Sequence, residues 1–210
     1  MKLESLLQYI DEYLGTSGHS DYATALNGLQ VEGPTEVTKV VATVDASLAS
    51  ITAAAALGAD LLIVHHGIFW DGHLPLTGRL GRRVRALFQS NMGLYSCHLP
   101  LDSHAEVGNC ILLARAIGVT PLGRIGEYKG ASLGWWGETN EPISLQDLQA
   151  RVSAAVGGGR VEVLQGGPEQ ILRIGVLTGG GGSFVREAAD LGLDAFVTGE
   201  GSHHTYFDAG

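Results

Sequence analysis

The clearest indication of the fold is the segment Gly58-Ala59-Asp60-Leu61-Leu62-Ile63-Val64-His65-His66-Gly67. Its middle is a continuous apolar run, which is typical of a strand that is covered on both faces of a sheet. An alanine-rich helix is predicted over 47–57, and a short apolar strand over 40–44 comes before it. Strand, helix and strand in this order predict a βαβ unit and a parallel sheet.

A weaker copy of this unit lies near the end of the chain. The segment 40–67 can be laid over 174–201 without gaps, and His66 then falls opposite Glu200. We interpret the match as a duplicated βαβ unit, although any two such units with Leu-Gly-x-Asp before a strand would look alike. Further strands and helices alternate between the two copies, so the predicted fold class is α/β with mostly parallel sheets.

The composition narrows the class of protein. Of the 210 residues, 45% are hydrophobic and 17% are charged, which excludes intrinsic disorder. The formal net charge of -9 argues against a nucleic-acid partner, because such binding depends on Lys and Arg. Cys97 and Cys110 form no CxxC motif, so we expect a reduced, cytoplasmic compartment. No apolar run approaches the roughly 20 residues that a membrane span needs.

Residues with ligand chemistry follow the predicted strands, at the sheet edge where α/β proteins bind ligands. His65 and His66 can give one ligand to each of two ions, or two ligands to one ion. His98 ends the next predicted strand, and Asp102 offers a carboxylate that can bridge two ions. Asp102 lies several residues before the next predicted helix, which makes a helix-capping role the weaker alternative.

The second copy of the unit offers a glycine run and an acidic residue at the same edge. The backbone N–H groups of Gly179, Gly180, Gly181 and Gly182 can bind the anionic part of a substrate. A closely packed turn explains this run equally well, and no lysine follows it as in a P-loop. Glu200 is a candidate general base or partner of a metal-bound water.

Together these segments resemble the Nif-three-like dinuclear-metal proteins, which are catalogued as GTP cyclohydrolase type 2 homologues. The resemblance covers nearly the whole chain, and its motifs are specific in their combination and order. They are Asn27-Gly28-Leu29-Gln30-Val31-Glu32-Gly33, Val64-His65-His66-Gly67, His98-Leu99-Pro100-Leu101-Asp102 with Gly108-Asn109, and Thr198-Gly199-Glu200 with His203-His204.

The resemblance implies a two-lobed α/β fold that assembles as a ring-shaped homohexamer. We expect the first lobe, with the metal-ligand segments, over 1–125 and the second lobe over 126–210. By motif match, His65, His66 and Asp102 are metal ligands, and Asp102 is the bridge between two ions.

The resemblance also implies ligands that this sequence lacks. Family members complete the metal site with a histidine and a glutamate near the C-terminus, and this chain stops at Gly210. We therefore expect the natural protein to continue, to carry two divalent ions per subunit when complete, and to bind at most one ion tightly when it ends at Gly210. Imidazole and carboxylate ligands suit Zn, Fe, Mn, Co or Ni alike.

The function that this family implies is metal-dependent hydrolysis of a nucleotide-like substrate. Two ions would activate a water, Glu200 or His98 would transfer the proton, and the glycine run would bind the substrate. The alternative is a non-enzymatic metal-binding or regulatory protein that interacts with other proteins.

Overall fold

The computed structural model describes residues 1–209, and the chain divides into two compact units. The first unit spans Met1–Leu101 and the second begins at Asp102. Each unit contains a four-stranded sheet with helices, which confirms the α/β class. Within the described residues, no helix has both the length and the apolar character that crossing a membrane requires.

The first unit begins with a helix and two successive strands, after which helices and strands alternate. They are α1 (Leu3–Leu14), β1 (Gly28–Val31), β2 (Val40–Asp45), α2 (Leu48–Ala56), β3 (Leu61–His66), α3 (Gly78–Gln89), β4 (Gly93–Ser96) and α4 (Leu99–Ser103), in which the unit boundary falls.

The elements of the second unit begin with a helix and a long hairpin. They are α5 (Asn109–Ala116), β5 (Thr120–Tyr128), β6 (Ala131–Ser144), α6 (Leu145–Ala155), β7 (Gln170–Leu177), a 3-10 turn (Gly181–Phe184), α7 (Val185–Asp190), β8 (Ala195–Thr198) and α8 (Thr205–Asp208).

The first sheet has the strand order β1-β4-β3-β2, and the directions of its strands explain the position of the site. Strand β3 runs parallel to both β2 and β4, while β1 pairs with β4 in the antiparallel sense. The carboxyl ends of β2, β3 and β4 therefore lie at one edge of the sheet. Asp45 and His66 are partners across β2 and β3 at this edge.

Strand β3 is buried on both faces, as its continuous apolar run predicted. Leu62 and Val64 belong to one core cluster, with residues of α2 and α3, whereas Leu61 and Ile63 belong to a second cluster, with residues of α1. Successive side chains of a strand point to opposite faces, so an apolar strand between two helical layers needs no polar face.

The second sheet corrects the expectation that both sheets are mostly parallel. Its order is β5-β6-β7-β8, and only β7 and β8 are parallel. Strands β5 and β6 form a hairpin whose two turn residues, Lys129 and Gly130, have φ values of 49° and 84°. Positive φ at both central residues is the geometry of a tight hairpin turn, and such a turn forces antiparallel pairing.

The lobe boundary expected between 125 and 126 is also wrong. That position falls inside β5, which pairs with β6 along most of its length. Helix α5 also belongs to the second unit, because Ala114 and Ile117 pack in the core cluster that contains Leu148 of α6 and Ile174 of β7. Because the hairpin and this helix both belong to the second unit, the boundary between the two units lies after Leu101.

The internal repeat is confirmed as a structural repeat. Val40 pairs with Leu61 across β2 and β3, and Ile174 pairs with Ala195 across β7 and β8. These are the residues that the gapless sequence alignment superposes, so both parallel pairs have the same register. The duplicated βαβ unit is the feature that the two sheets share.

Candidate metal centre

Three histidines of the first unit form a compact imidazole group. His65 and His66 are the last residues of β3, and His98 follows β4. One nitrogen from each ring lies within 4.8 Å of the other two, and all three residues are partly buried. The ring centroids of His65 are 4.6 Å from His66 and 4.8 Å from His98. The parallel sheet therefore brings two separate segments to one point.

The ring of His65 is oriented by the backbone. Its Nδ1 lies 3.0 Å from the carbonyl oxygen of Cys97. A carbonyl oxygen only accepts hydrogen bonds, so Nδ1 must carry the proton. The neutral ring then has its lone pair on Nε2, which is the atom that can bind a metal ion.

The rings of His66 and His98 are oriented by carboxylates. The Nδ1 of His66 donates to Oδ1 of Asp45 at 2.8 Å, and the Nδ1 of His98 donates to Oδ1 of Asp21 at 2.9 Å. The Asp45 side chain is 65% exposed, whereas the Asp21 side chain is only 6% exposed. A histidine that binds a metal normally donates its other N–H to a carboxylate or a carbonyl, so all three rings have that arrangement.

The imidazole group opens into a cavity of about 390 Å³. Its lining consists of Asp45, His66 and His98 together with two aromatic residues, Tyr22 and Trp70. The Trp70 ring lies edge-to-face with His98 at 4.7 Å and with His66 at 5.6 Å between centroids. The cavity thus combines polar ring nitrogens with aromatic walls, as ligand sites commonly do.

The Asn27–Gly33 motif holds the polar loop before β1 near this group. The Nε2 of Gln30 donates to the carbonyls of Ala25 and Leu26, each at 3.0 Å, and its Oε1 accepts from the N–H of Ile68 at 2.9 Å. A Cβ atom on Gly67 would overlap the Gln30 amide. The motif therefore joins the loop to the turn that follows His66.

Asp102 belongs to the second unit, in α4. Its carboxylate is buried and accepts from Nδ2 of Asn109 at 2.7 Å and from Oγ1 of Thr178 at 3.3 Å. The N-cap of α5 is Gly108, so Asp102 does not cap that helix. Its assignment as a bridging metal ligand stays a prediction.

The glycine run and Glu200 also belong to the second unit. The N–H of Gly181 donates to Oγ1 of Thr198 at 3.0 Å, and the N–H of Gly182 donates to the carbonyl of Glu200 at 3.2 Å. These two N–H groups therefore have partners inside the protein. The Glu200 side chain is exposed. Substrate binding by Gly179–Gly182 and catalysis by Glu200 remain predictions.

The structure adds one residue that the sequence analysis missed and one new grouping. Asp21 lies in the loop between α1 and β1, where its only signal was an acidic residue in a polar segment. His98 was expected as a proton-transfer residue, and the structure places its ring with His65 and His66. Sequence separation hid this grouping, because strand adjacency and not chain distance creates it.

An α/β protein with three imidazoles at the strand ends of one sheet belongs to the class of candidate metalloproteins. The sequence model of the family described as Duf34/NIF3 (NGG1p interacting factor 3) matches residues 1–210, and the chain belongs to this family. The resemblance inferred from the motifs is thereby confirmed.

Relatives with curated names support the same family. A protein of Escherichia coli (strain K12) named GTP cyclohydrolase 1 type 2 homolog is 42% identical over 210 residues, which are 100% of this chain and 82% of the relative. A protein of the same name from Deinococcus radiodurans is 40% identical over 206 residues, covering 98% of this chain and 77% of the relative.

Solved structures share the fold. The structure described as protein ybgI, of unknown function, has a TM-score of 0.91 and 42% sequence identity, covering 100% of this chain and 82% of its own. The crystal structure of TTHA1606 from Thermus thermophilus has a TM-score of 0.83 and 35% identity, covering 99% of this chain and 81% of its own.

Proposed function

We propose that this protein binds divalent metal ions and acts as a metal-dependent hydrolase on a nucleotide-like substrate, with His65, His66 and His98 holding an ion. The observation that supports the proposal is the imidazole group, whose nitrogens lie within 4.8 Å of one another. The name GTP cyclohydrolase 1 type 2 homolog, which relatives carry, supports a nucleotide as the substrate class.

The donor set fits a first-row transition ion. Neutral imidazole nitrogens suit Zn, Fe, Co or Ni, and a carboxylate such as that of Asp102 extends the choice to Mn. The three imidazoles would hold one ion, and three protein ligands are the number found in catalytic zinc sites. When bound, such an ion acts as a Lewis acid and lowers the pKa of a coordinated water.

The residues around the group have separate tasks in this proposal. Asp45 and Asp21 keep two of the rings in the tautomer that exposes the Nε2 lone pair to an ion. Tyr22 and Trp70 give the cavity apolar walls, which suit the planar base of a nucleotide. Glu200 is the proposed proton-transfer residue, because it is a carboxylate at a strand end.

The remaining parts of the proposal follow from the family resemblance. We propose two ions per subunit with Asp102 as the bridge, and a homohexamer as the assembly. The glycine run, Gly179–Gly182, is the proposed site for an anionic group of the substrate. Within residues 1–209, neither Cys97 nor Cys110 is part of a disulfide, which is compatible with the proposed cytoplasmic location.

The experiment is a substrate screen on protein loaded in turn with Zn²⁺, Mn²⁺, Fe²⁺, Co²⁺ and Ni²⁺, with nucleotides and phosphodiesters as substrates. We expect turnover with at least one ion, and loss of turnover in His65→Ala. The matched control is His73→Ala, because His73 is an exposed histidine of the same unit outside the imidazole group. Tight, reversible metal exchange without turnover on any substrate would instead favour the non-enzymatic alternative.

A further inference from the structure

The loop between α1 and β1 brings a buried carboxylate to one member of the imidazole group. Asp21 contacts Nδ1 of His98 through both oxygens, at 2.9 Å and 3.3 Å. The side chains of Asp21 and His98 are 6% and 12% exposed, respectively. By contrast, the carboxylate of Asp45 that holds His66 is mostly exposed to solvent. The hydrogen bond to His98 is therefore the better shielded of the two.

Asp21 is itself fixed by other donors. It accepts from the N–H of Tyr22 at 2.6 Å, from Nδ2 of Asn27 at 2.8 Å and from the N–H of Leu99 at 3.0 Å. These donors and the ring of His98 together hold the carboxylate in one orientation.

Asn27 completes a closed set of contacts. Its Oδ1 accepts from the backbone N–H of His98 at 2.8 Å, while its Nδ2 donates to Asp21. Asp21 thus binds the ring of His98, and Asn27 binds its backbone. Asp21 and Asn27 also contact each other. Three hydrogen bonds in a closed set restrict the histidine more than any one of them could.

We propose that Asp21 and Asn27 are positioning residues that fix the tautomer and the direction of His98, and that this makes His98 the anchored member of the metal group. The part that concerns the metal rests on the proposed function. The effect on the ring does not, because the hydrogen bonds act whether or not an ion is bound. Loss of such a partner typically lowers metal affinity by about 10–100-fold.

The first test reads the ring directly in metal-free protein. Long-range ¹H–¹⁵N spectra at pH 9 report the tautomer of each imidazole, with signals assigned by single His→Gln substitutions. In the natural sequence we expect the proton of His98 on Nδ1. In Asp21→Ala we expect the population with the proton on Nε2 to rise for His98, while His65 keeps its proton on Nδ1 because its acceptor is the backbone.

The matched control is Asp60→Ala in the same unit. The carboxylate of Asp60 also accepts several hydrogen bonds, from Thr38 and Lys39, but it contacts no imidazole. The tautomer of His98 should not change in this variant. A proton on Nε2 of His98 in the natural sequence, an unchanged His98 in Asp21→Ala, or an equal change in Asp60→Ala would each overturn the proposal.

The second test measures Zn²⁺ affinity by competition with a chelating dye. We expect a loss of about 10–100-fold in Asp21→Ala, a smaller loss in Asn27→Ala, which keeps the carboxylate, and a change within about twofold in Asp60→Ala. If Asp21→Ala does not fold, the spectrum of the natural sequence and the Zn²⁺ affinity of Asn27→Ala still test the proposal. An unchanged Zn²⁺ affinity in Asn27→Ala contradicts it. If the natural protein binds no Zn²⁺ while the tautomer responds as expected, the positioning role stands and the proposed metal function fails.

Discussion

Asp60 and Asp194 occupy the same structural position in the two halves of the repeat. Oδ2 of Asp60 accepts from the N–H groups of residues 38 and 39, at 2.7 Å and 2.9 Å. Oδ2 of Asp194 accepts from the N–H groups of residues 172 and 173, at 2.9 Å and 2.8 Å. Each aspartate directly precedes the second strand of a parallel pair. Asp60 binds the backbone just before β2, and Asp194 binds the backbone near the start of β7. The shared Leu-Gly-x-Asp segment thus has a structural cause in both units.

Asp60 should make stability depend on pH. Hydrogen bonds from the backbone N–H and the hydroxyl of Thr38 and from the N–H of Lys39 hold the pKa of Asp60 below its ordinary value. A lowered pKa in the folded state adds stability above the unfolded pKa of about 3.9, and that stability is lost as the pH falls through the folded pKa. At pH 7, we therefore expect the natural protein to have a higher urea midpoint of unfolding than Asp60→Asn. This difference in midpoint should shrink below pH 4.

The control for this pH dependence is Asp190→Asn, an exposed aspartate at the end of α7. The urea midpoint of Asp190→Asn should differ little from that of the natural protein at every pH. A difference between the natural protein and Asp60→Asn that stays constant down to the acid transition would contradict the assignment.

Tyr95 should contribute stability through its hydroxyl. The side chain is fully buried in β4, and its hydroxyl donates to Oδ1 of Asp11 in α1 at 2.6 Å. Hydrogen bonds to charged groups contribute about 1.5–3 kcal/mol, so Tyr95→Phe should lower the free energy of unfolding by this amount. Urea denaturation measures this change in the free energy of unfolding. Tyr9→Phe is the control, because Tyr9 is 61% exposed, and its change should stay within about 0.5 kcal/mol.

Gly33 is expected to tolerate no side chain. A Cβ at this position would overlap the backbone N and Cα of Gly93 at the start of β4. Backbone atoms cannot move aside as the end of a flexible side chain can, so Gly33→Ala should cost about 1–3 kcal/mol. Gly180→Ala is the control, because its Cβ would meet nothing within 4 Å and its φ of -78° is ordinary. Equal thermal stability of the two variants would refute the close approach.

The sequence predicted the first unit well because local pattern and burial agree there. Three local features reflect one parallel βαβ unit, whose periodicity is visible in the sequence. They are the apolar run of β3, the helix ending at Gly58 and the polar residues at the strand ends. The N-cap of α6 likewise depends on local chemistry, since the hydroxyl of Ser144 accepts from the N–H of Asp147.

The second sheet was not predicted, because its hairpin depends on contacts that local pattern does not encode. Gly134 and Gly137 interrupt the alternation expected of β6, yet each is needed where a neighbouring backbone comes close. The predicted alternation of strands and helices between the two copies therefore missed this hairpin. The same limit hid Asp21, whose importance arises from a hydrogen bond to a residue far away in the sequence.

Asp102 provides the last prediction, since its bonds allow either a metal-binding or a structural role. If it is a metal ligand, Asp102→Ala should lower Zn²⁺ affinity at least as much as the roughly tenfold loss expected for an outer partner of a ligand. If it only accepts from Asn109 and Thr178, the variant should lose thermal stability and keep its affinity. We expect the first result. Asp190→Ala, which removes an exposed carboxylate, is the control, and an affinity in Asp102→Ala equal to that of this control would contradict the metal-ligand role.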